Sequence, residues 1–351
     1  MSDVEPGDGT RTIARGWSSN ASIEEVTARL RTARRVVILT HSKPDGDAVG
    51  STLALARSLR RLDVTATPAY LAPWPAKFDS IVADTPVVHE HHAMWQDPAL
   101  KDPDLIAVLD TGSWNQVADA RTFIKPLLDR TIIIDHHGHG DITDGTMRHI
   151  RVEYAAAAEP VARVCSMLLG CKLRALPADV AGPLYLGVAS DTGWFRYANT
   201  TAQTFRIAAA LIDAGADADR IFQITEQSDP AERILLMQRA LASLQLLDHN
   251  RIAVMVLRRK DFQETGTSDD EASGLIDLPR SVGTVRATVL ATEMEPELTK
   301  ISFRSKAGES EIDVNKVAQR FDGGGHKHAA GAKIRAPIDE AIRRVVEALM
   351  A

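Results

Sequence analysis

Cysteine is scarce in this chain: Cys165 and Cys171 are the only two among 351 residues. They fall in one expected helix and lack the paired spacing of a zinc ligand set, so neither a disulfide framework nor a closed structural zinc site is expected. We read both as reduced core thiols of a cytoplasmic protein. Long apolar runs are also missing. The first twenty residues are polar, with no signal-peptide core, and no later stretch approaches a bilayer-spanning length, so no membrane partner is expected. Nor is there an excess of basic charge. A net charge of -6 gives no general attraction to nucleic acid, so a phosphate-bearing partner must be held by a local site, and a long duplex is excluded. The absence of internal repeats and low-complexity tracts counts against a solenoid or a disordered scaffold.

What is present is a chain long enough for two domains, each able to bury its own core. "SIEE" at 22–25 has capping-box form and opens a helix that ends near Arg34 and Arg35. "VVILT" then reads as a buried strand and "GDAVGSTLALARSLRRL" as an amphipathic helix. Further apolar runs, "LIAVLD" at 105–110 and "TIIID" at 131–135, alternate with helices. The pattern predicts an α/β fold with a parallel sheet covered on both faces. Residues 230–247 read as one long helix bridging two domains, followed by three strand-like runs, "RIAVMVL", "TVRATVLATE" and "TKISFRS", and two helices. That grouping predicts a smaller α+β domain. The expected divisions are a flexible tail over 1–20, a first domain over 21–225, a linker helix over 226–250 and a second domain over 251–351.

Ligands of a parallel α/β sheet bind beyond the carboxyl ends of its strands. His41, Asp110 and Asp135 each follow an apolar run, so neighbouring strands would bring them to one rim. The adjoining loops add Asp45, Asp47, His136 and His137. Asp191, just past the apolar part of "LGVASDTGWFR", is read as a fourth strand end. Five carboxylates in one crevice cannot all ionise without a compensating charge, and divalent cations are the simplest one. Mixed imidazole and carboxylate donors suit manganese, iron, zinc or cobalt better than calcium. Two such ions about 3.5 to 4 Å apart are the usual arrangement for hydrolysing phosphate esters. Each motif alone has an ordinary reading as a helix cap or a turn. Their recurrence at successive strand ends favours the metal site. "HEHH" at 89–92 has no apolar strand before it and reads as a solvated loop.

Together, "THSKPDGDAVGS", the acid closing "LIAVLD", "DHH" at 135–137, "SDTGWFRYANT" and "FDGGGHKHAAGA" resemble the DHH phosphoesterases. The likeness is to the DHH/DHHA1 branch of short-oligonucleotide exonucleases, pAp phosphatases and cyclic-di-AMP or pApA phosphodiesterases. It covers nearly the whole chain from residue 22. The resemblance implies a parallel-sheet DHH domain joined by a helical linker to a DHHA1 domain. It also implies a two-manganese centre, one ion on His41, Asp45, Asp110 and Asp191, the other on Asp47, Asp110, His136 and Asp191. His137 would face the scissile phosphate, with Asp135 orienting it as its neighbour, and a metal-bridging hydroxide would attack phosphorus in line.

Gly324, Gly325 and His326 in "GGGH" would let backbone N–H groups approach an anion. Arg304 and Ser305 would take a terminal phosphate, and Arg196 is a weaker phosphate contact. The expected partner is a short nucleotide or oligonucleotide in a cleft between two domains, with a homodimer left open. Two other functions stay open, a type II-like inorganic pyrophosphatase and a non-catalytic nucleotide sensor.

Overall fold

The computed structural model describes residues 16–91, 93–269, 271–308 and 310–350. The chain divides into two compact units, Met1–Ser228 and Asp229–Ala351. In the first unit six strands, β1 Arg35–Leu39, β2 Thr65–Tyr70, β3 Val88–His89, β4 Leu105–Leu109, β5 Thr131–Asp135 and β6 Met147–Ile150, pair in parallel in the order β3-β2-β1-β4-β5-β6. The near-continuous Val, Ile and Leu of β1, β4 and β5 are what a strand buried on both faces requires. Alternate residues serve opposite layers. Val36, Ile38, Ala107, Leu109, Ile132 and Ile134 pack under the long helices, whereas Val37, Leu39, Ile106, Val108 and Ile133 pack against Trp17 and short helical turns. The strand order turns at the β1–β4 pair, where Leu39 lies opposite Val108. That switch point is where an open α/β sheet leaves a crevice.

Three helices stand behind the crevice: Gly46–Arg60, Ala158–Leu169 and Ala178–Asp191. The first and third approach at glycines. A Cβ on Gly50 would lie 2.1 Å from the Pro183 carbonyl oxygen, and one on Gly187 would lie 2.7 Å from Asp47 Oδ1. Asp47 and Asp191 can share one site because nothing larger stands there.

The second unit holds β7 Gln245–Leu247, β8 Ile252–Leu257, β9 Ala287–Glu295, β10 Leu298–Ser305, β11 Gly324–His326 and β12 Ala329–Ile334. They form a mixed sheet ordered β11-β12-β10-β9-β8-β7, with β8 and β9 parallel and the other pairs antiparallel. One face is covered by helices Val314–Gln319 and Ile338–Met350, the other by Ala231–Ala242.

Several expectations differ from this fold. Residues 1–15 of the tail lie outside the described residues, but its end is tied down. Trp17 is buried in the core, and Ser19 and Asn20 hydrogen-bond along β6. The helix expected over 230–247 ends at Ala242, and Gln245–Leu247 is a strand. Ser243 turns the chain, its Oγ bonded to Ala240 O, Val256 O and Val256 N, and Leu236 and Ala240 are fully buried, so this helix packs into the core of the second unit. Asp191 ends a helix, not a strand: an apolar run does not separate a buried helix from a buried strand, and here Gly182, Pro183 and Gly187 weaken the helical pattern. Val88–His89 is an edge strand, with His89 stacked on Tyr70, and His92 lies outside the described residues. Cys165 is buried in a helix, while Cys171 follows its Gly170 cap and is half-buried; both are free.

Gly50→Ala should force the two helices apart at Pro183, costing about 3 kcal/mol by the usual penalty for overpacking. A melting temperature equal to that of the unsubstituted chain would contradict the close approach.

Candidate metal centre

Strands β1, β4 and β5 end level, and each hands its next residues to the rim. Asp110 follows β4 in the left-handed region at φ 62° while its N–H donates to Ile134 O, a conformation costly for a side-chain-bearing residue and concentrated at functional sites. It aims the carboxylate into the crevice. Asp110 Oδ2 lies 3.4 Å from His41 Nε2, and its Oδ1 lies 3.3 Å from His136 Nε2. One carboxylate therefore faces two histidines from two other strands.

Around the first histidine, Asp45 caps the Gly46–Arg60 helix by accepting from Asp47 N and Ala48 N, and its Oδ1 lies 3.9 Å from His41 Nε2. Around the second, His136 Nε2 lies 3.2 Å from Asp191 Oδ2 and 3.9 Å from Asp47 Oδ2. Asp47 is fully buried and accepts from Ala157 N, Ala158 N and Ser51 Oγ. Two clusters result, His41–Asp45–Asp110 and Asp47–His136–Asp191, each with ligand atoms within 4.8 Å of one another. A third, Asp110–His136–His137, overlaps them, but there Asp135 Oδ1 engages His137 Nδ1 at 2.7 Å.

The donor set fits divalent cations. His136 Nε2 and Asp110 Oδ1 are buried without a hydrogen bond of acceptable geometry, although carboxylates surround the ring. Ligands held about 2.1 Å from one ion at right angles stand about 3 Å apart. Separations of 3.2 to 3.9 Å around His136 match such a shell better than a hydrogen-bonded cluster.

Without metal the site must hold protons. Burial opposes ionisation of Asp110, yet the facing His136 and His41 rings, which carry positive charge when protonated, keep it well below the usual carboxylate range. Burial works against both charged rings too, but Asp110 holds His41 up at about 9 and His136 at about 10. Burial and the charge of Asp110 push Asp191 up to about 7 and Asp47 well above normal.

Asp135, fully buried at the end of β5, accepts from His136 N, His137 N and His137 Nδ1 through one oxygen. This fixes the tautomer of His137, whose side chain is half-exposed, and leaves Nε2 free of the bond to Asp135. The expected rim residues His41, Asp45, Asp47, Asp110, Asp135, His136, His137 and Asp191 are all brought together. Arg196 is exposed, its Nε bonded to Gly193 O.

In the second unit Ser305 is buried with Oγ 2.9 Å from His328 Nδ1, so its hydroxyl is engaged, while Arg304 is half-buried with Nη1 on Phe303 O. The expected anion loop is instead edge strand β11, paired with β12. Gly325 answers a steric demand, since a Cβ on it, at φ 149°, would lie 2.4 Å from Ala329 O, whereas a Cβ on Gly324 would meet open space. The side chain of His326 lies outside the described residues.

Trp17 was missed by the motif reading. Its Nε1 donates to His137 O, and its ring fills space where a Cβ on Gly112 or Gly140 would clash. A lone tryptophan in a polar N-terminal stretch was the available signal.

Fold and site together define a metal-dependent enzyme built on the switch point of a parallel α/β sheet. The description "DHH family, N-terminal domain" matches residues 35–188 and "DHHA1 domain" matches 249–351. The chain is 29% identical over 350 residues, 97% of each sequence, to the bifunctional oligoribonuclease and PAP phosphatase NrnA of Thermus thermophilus. An exopolyphosphatase-related protein from Bacteroides fragilis shares the fold at TM-score 0.84 and 24% identity, over 93% of this chain and 95% of that one. The exonuclease RecJ, solved bound to manganese, aligns at TM-score 0.50 and 18% identity over 93% and 94%. The chain belongs to the DHH/DHHA1 family of phosphoesterases.

Metal uptake should release protons near neutral pH. Ligation requires neutral imidazoles and ionised carboxylates, so cations must expel the protons held by His41, His136, Asp47 and, in part, Asp191. Affinity should therefore rise as pH increases from about 7 towards 9. Calorimetric manganese titration in buffers of different ionisation enthalpy measures the release. A buffer-independent heat would contradict it.

Proposed function

We propose that this chain is a two-metal phosphoesterase that hydrolyses short phosphorylated nucleotides, with two manganese ions held on either side of Asp110. The substrate class spans short oligoribonucleotides, pAp, and linear or cyclic dinucleotides such as pApA and cyclic di-AMP. The observation that carries the reading is that Asp110 turns one carboxylate oxygen to each of two histidine-containing clusters. It is supported by membership of the DHH/DHHA1 family and by the full-length likeness to an oligoribonuclease and PAP phosphatase. A pyrophosphatase reading is not favoured, because residues 249–351 match a DHHA1 domain, the module that the resemblance ties to nucleotide substrates.

On this reading His41, Asp45 and Asp110 hold one ion, and Asp47, Asp110, His136 and Asp191 hold the other; the share of Asp191 in the first ion that the resemblance implies is not kept, because its carboxylate clusters with Asp47 and His136 and not with His41. When bound, the cations supply Lewis acidity and an activated water for in-line displacement at phosphorus. The chain's own residues do the rest. Asp135 fixes the His137 ring, so its Nε2 edge faces the position of a scissile phosphate and can donate a hydrogen bond to a phosphoryl oxygen. Burial would lower the pKa of that imidazole, but the bond to Asp135 raises it on balance, which favours the donating form. Trp17 anchors the carbonyl of the same residue and keeps the loop from drifting. Asp45 serves as a ligand and a helix cap at once, so the helix end fixes its carboxylate.

The proposal extends to Arg304, Ser305, Gly324, Gly325 and His326 of the second unit, and to Arg196, as contacts for the substrate's other phosphates. A cytoplasmic setting, supported by two free thiols, and a homodimer belong to the same proposal.

Side-by-side rates on pAp, pApA, cyclic di-AMP and di- to pentaribonucleotides with manganese test the reading, which expects monophosphate product from at least one of them. Asp110→Ala should lose more than the ~100-fold typical of an outer metal partner. Arg304→Ala should mainly raise KM, by about tenfold for a lost charged hydrogen bond. No turnover of any of these substrates, or near-native rates for metal-replete Asp110→Ala, would refute it.

A further inference from the structure

We infer that Asn199 is a positioning residue for one of the two metal subsites, that of Asp47, His136 and Asp191, and not for the other. The inference rests on the two-metal reading above. Its basis is a short segment, 154–158, that bonds directly to His136 and Asp47 and reaches Asp191 through Asn199. Tyr154 O lies 3.3 Å from His136 Nδ1, the geometry that would leave Nε2 as the ligating atom. Ala157 N and Ala158 N donate to the two oxygens of Asp47 at 2.5 and 2.8 Å. Asp191 has no direct bond to this segment. Asn199 supplies the link: its Nδ2 donates to Ala155 O at 3.2 Å and to Asp191 O at 3.0 Å.

Two carbonyl acceptors fix the orientation of the carboxamide, because only its NH2 group can serve both. Its Oδ1 is buried without a partner, so the bonds made by Nδ2 are what hold the side chain. Slightly further on, Thr204 Oγ1 donates to the buried Glu159 Oε1 at 2.8 Å, so the stretch after Asp191 also grips the residue that follows this segment.

The other subsite is built without this brace. His41 Nδ1 pairs with Ser42 O, Asp45 accepts from its own helix N-terminus, and Asp110 N donates to Ile134 O. Loss of the Asn199 donors should release Asp191 from the segment that holds Asp47 and His136. The spacing of His41, Asp45 and Asp110 should stay as it was. The consequence is selective: one ion loosens and one does not.

Manganese binding to the full-length chain tests this, by calorimetry together with the electron paramagnetic resonance signal of an exchange-coupled manganese pair. Two variants are compared, Asn199→Ala and Asn199→Asp, the second keeping the side-chain shape while replacing the donor by an acceptor. The expected result in both is one site at unchanged affinity, a second weakened about 10- to 100-fold, and loss of the coupled signal at manganese concentrations that fill the unsubstituted protein. Two sites of unchanged affinity in both variants would overturn the inference, as would equal weakening of both sites. If the unsubstituted chain itself bound fewer than two ions, the two-metal reading would fail instead, so the two failures are distinguishable.

Discussion

The first unit is organised around the crowding of carboxylates at the β1–β4 switch point. Asp47, Asp110 and Asp135 are almost wholly buried there, with Asp45 and Asp191 beside them. Like charges this close raise one another's pKa and cannot remain ionised together without positive charge. Where oxygens are satisfied, backbone N–H groups satisfy them: two for Asp45, two for Asp47, two for Asp135. Asp110 is held differently. Its Oδ1 lacks such a donor, and both its oxygens look instead towards histidines on other strands. A cation on either side of that carboxylate neutralises the crowding and satisfies the ligands.

The surrounding fold can be understood as support for that arrangement. Glycines at 50 and 187 let two helices approach closely enough for Asp47 and Asp191 to meet across them. The left-handed backbone of Asp110 itself, just after β4, turns its carboxylate inward, and Trp17 occupies the space left by Gly112 and Gly140 under the His137 loop. Each feature sacrifices local backbone preference or packing freedom for the position of a polar group.

The parallel first sheet, a smaller second α+β unit with three of its six strands, and the eight rim residues were legible in the sequence, because buried strands carry uninterrupted apolar runs and their acids follow at once. Asp191 was placed correctly at the site but on the wrong element. Its run mixes apolar residues with Gly182, Gly187 and Pro183, which are there for helix packing and hide the helical period. The helix at 230–247 was drawn too long because Leu244, Leu246 and Leu247 continue an apolar texture that β7 uses as a strand. Asn199 and the alanines at 155–158 were illegible for a different reason: they act through backbone groups, and no side-chain pattern announces a carbonyl or an N–H.

The central claim is that Asp110 stands between two cations. Crystals grown with manganese and measured at its absorption edge test it most directly. The account predicts two anomalous peaks about 3.5 to 4 Å apart, one beside each Asp110 oxygen, flanked by His41 and His136 respectively. A single peak, or none within coordination distance of Asp110, would contradict it.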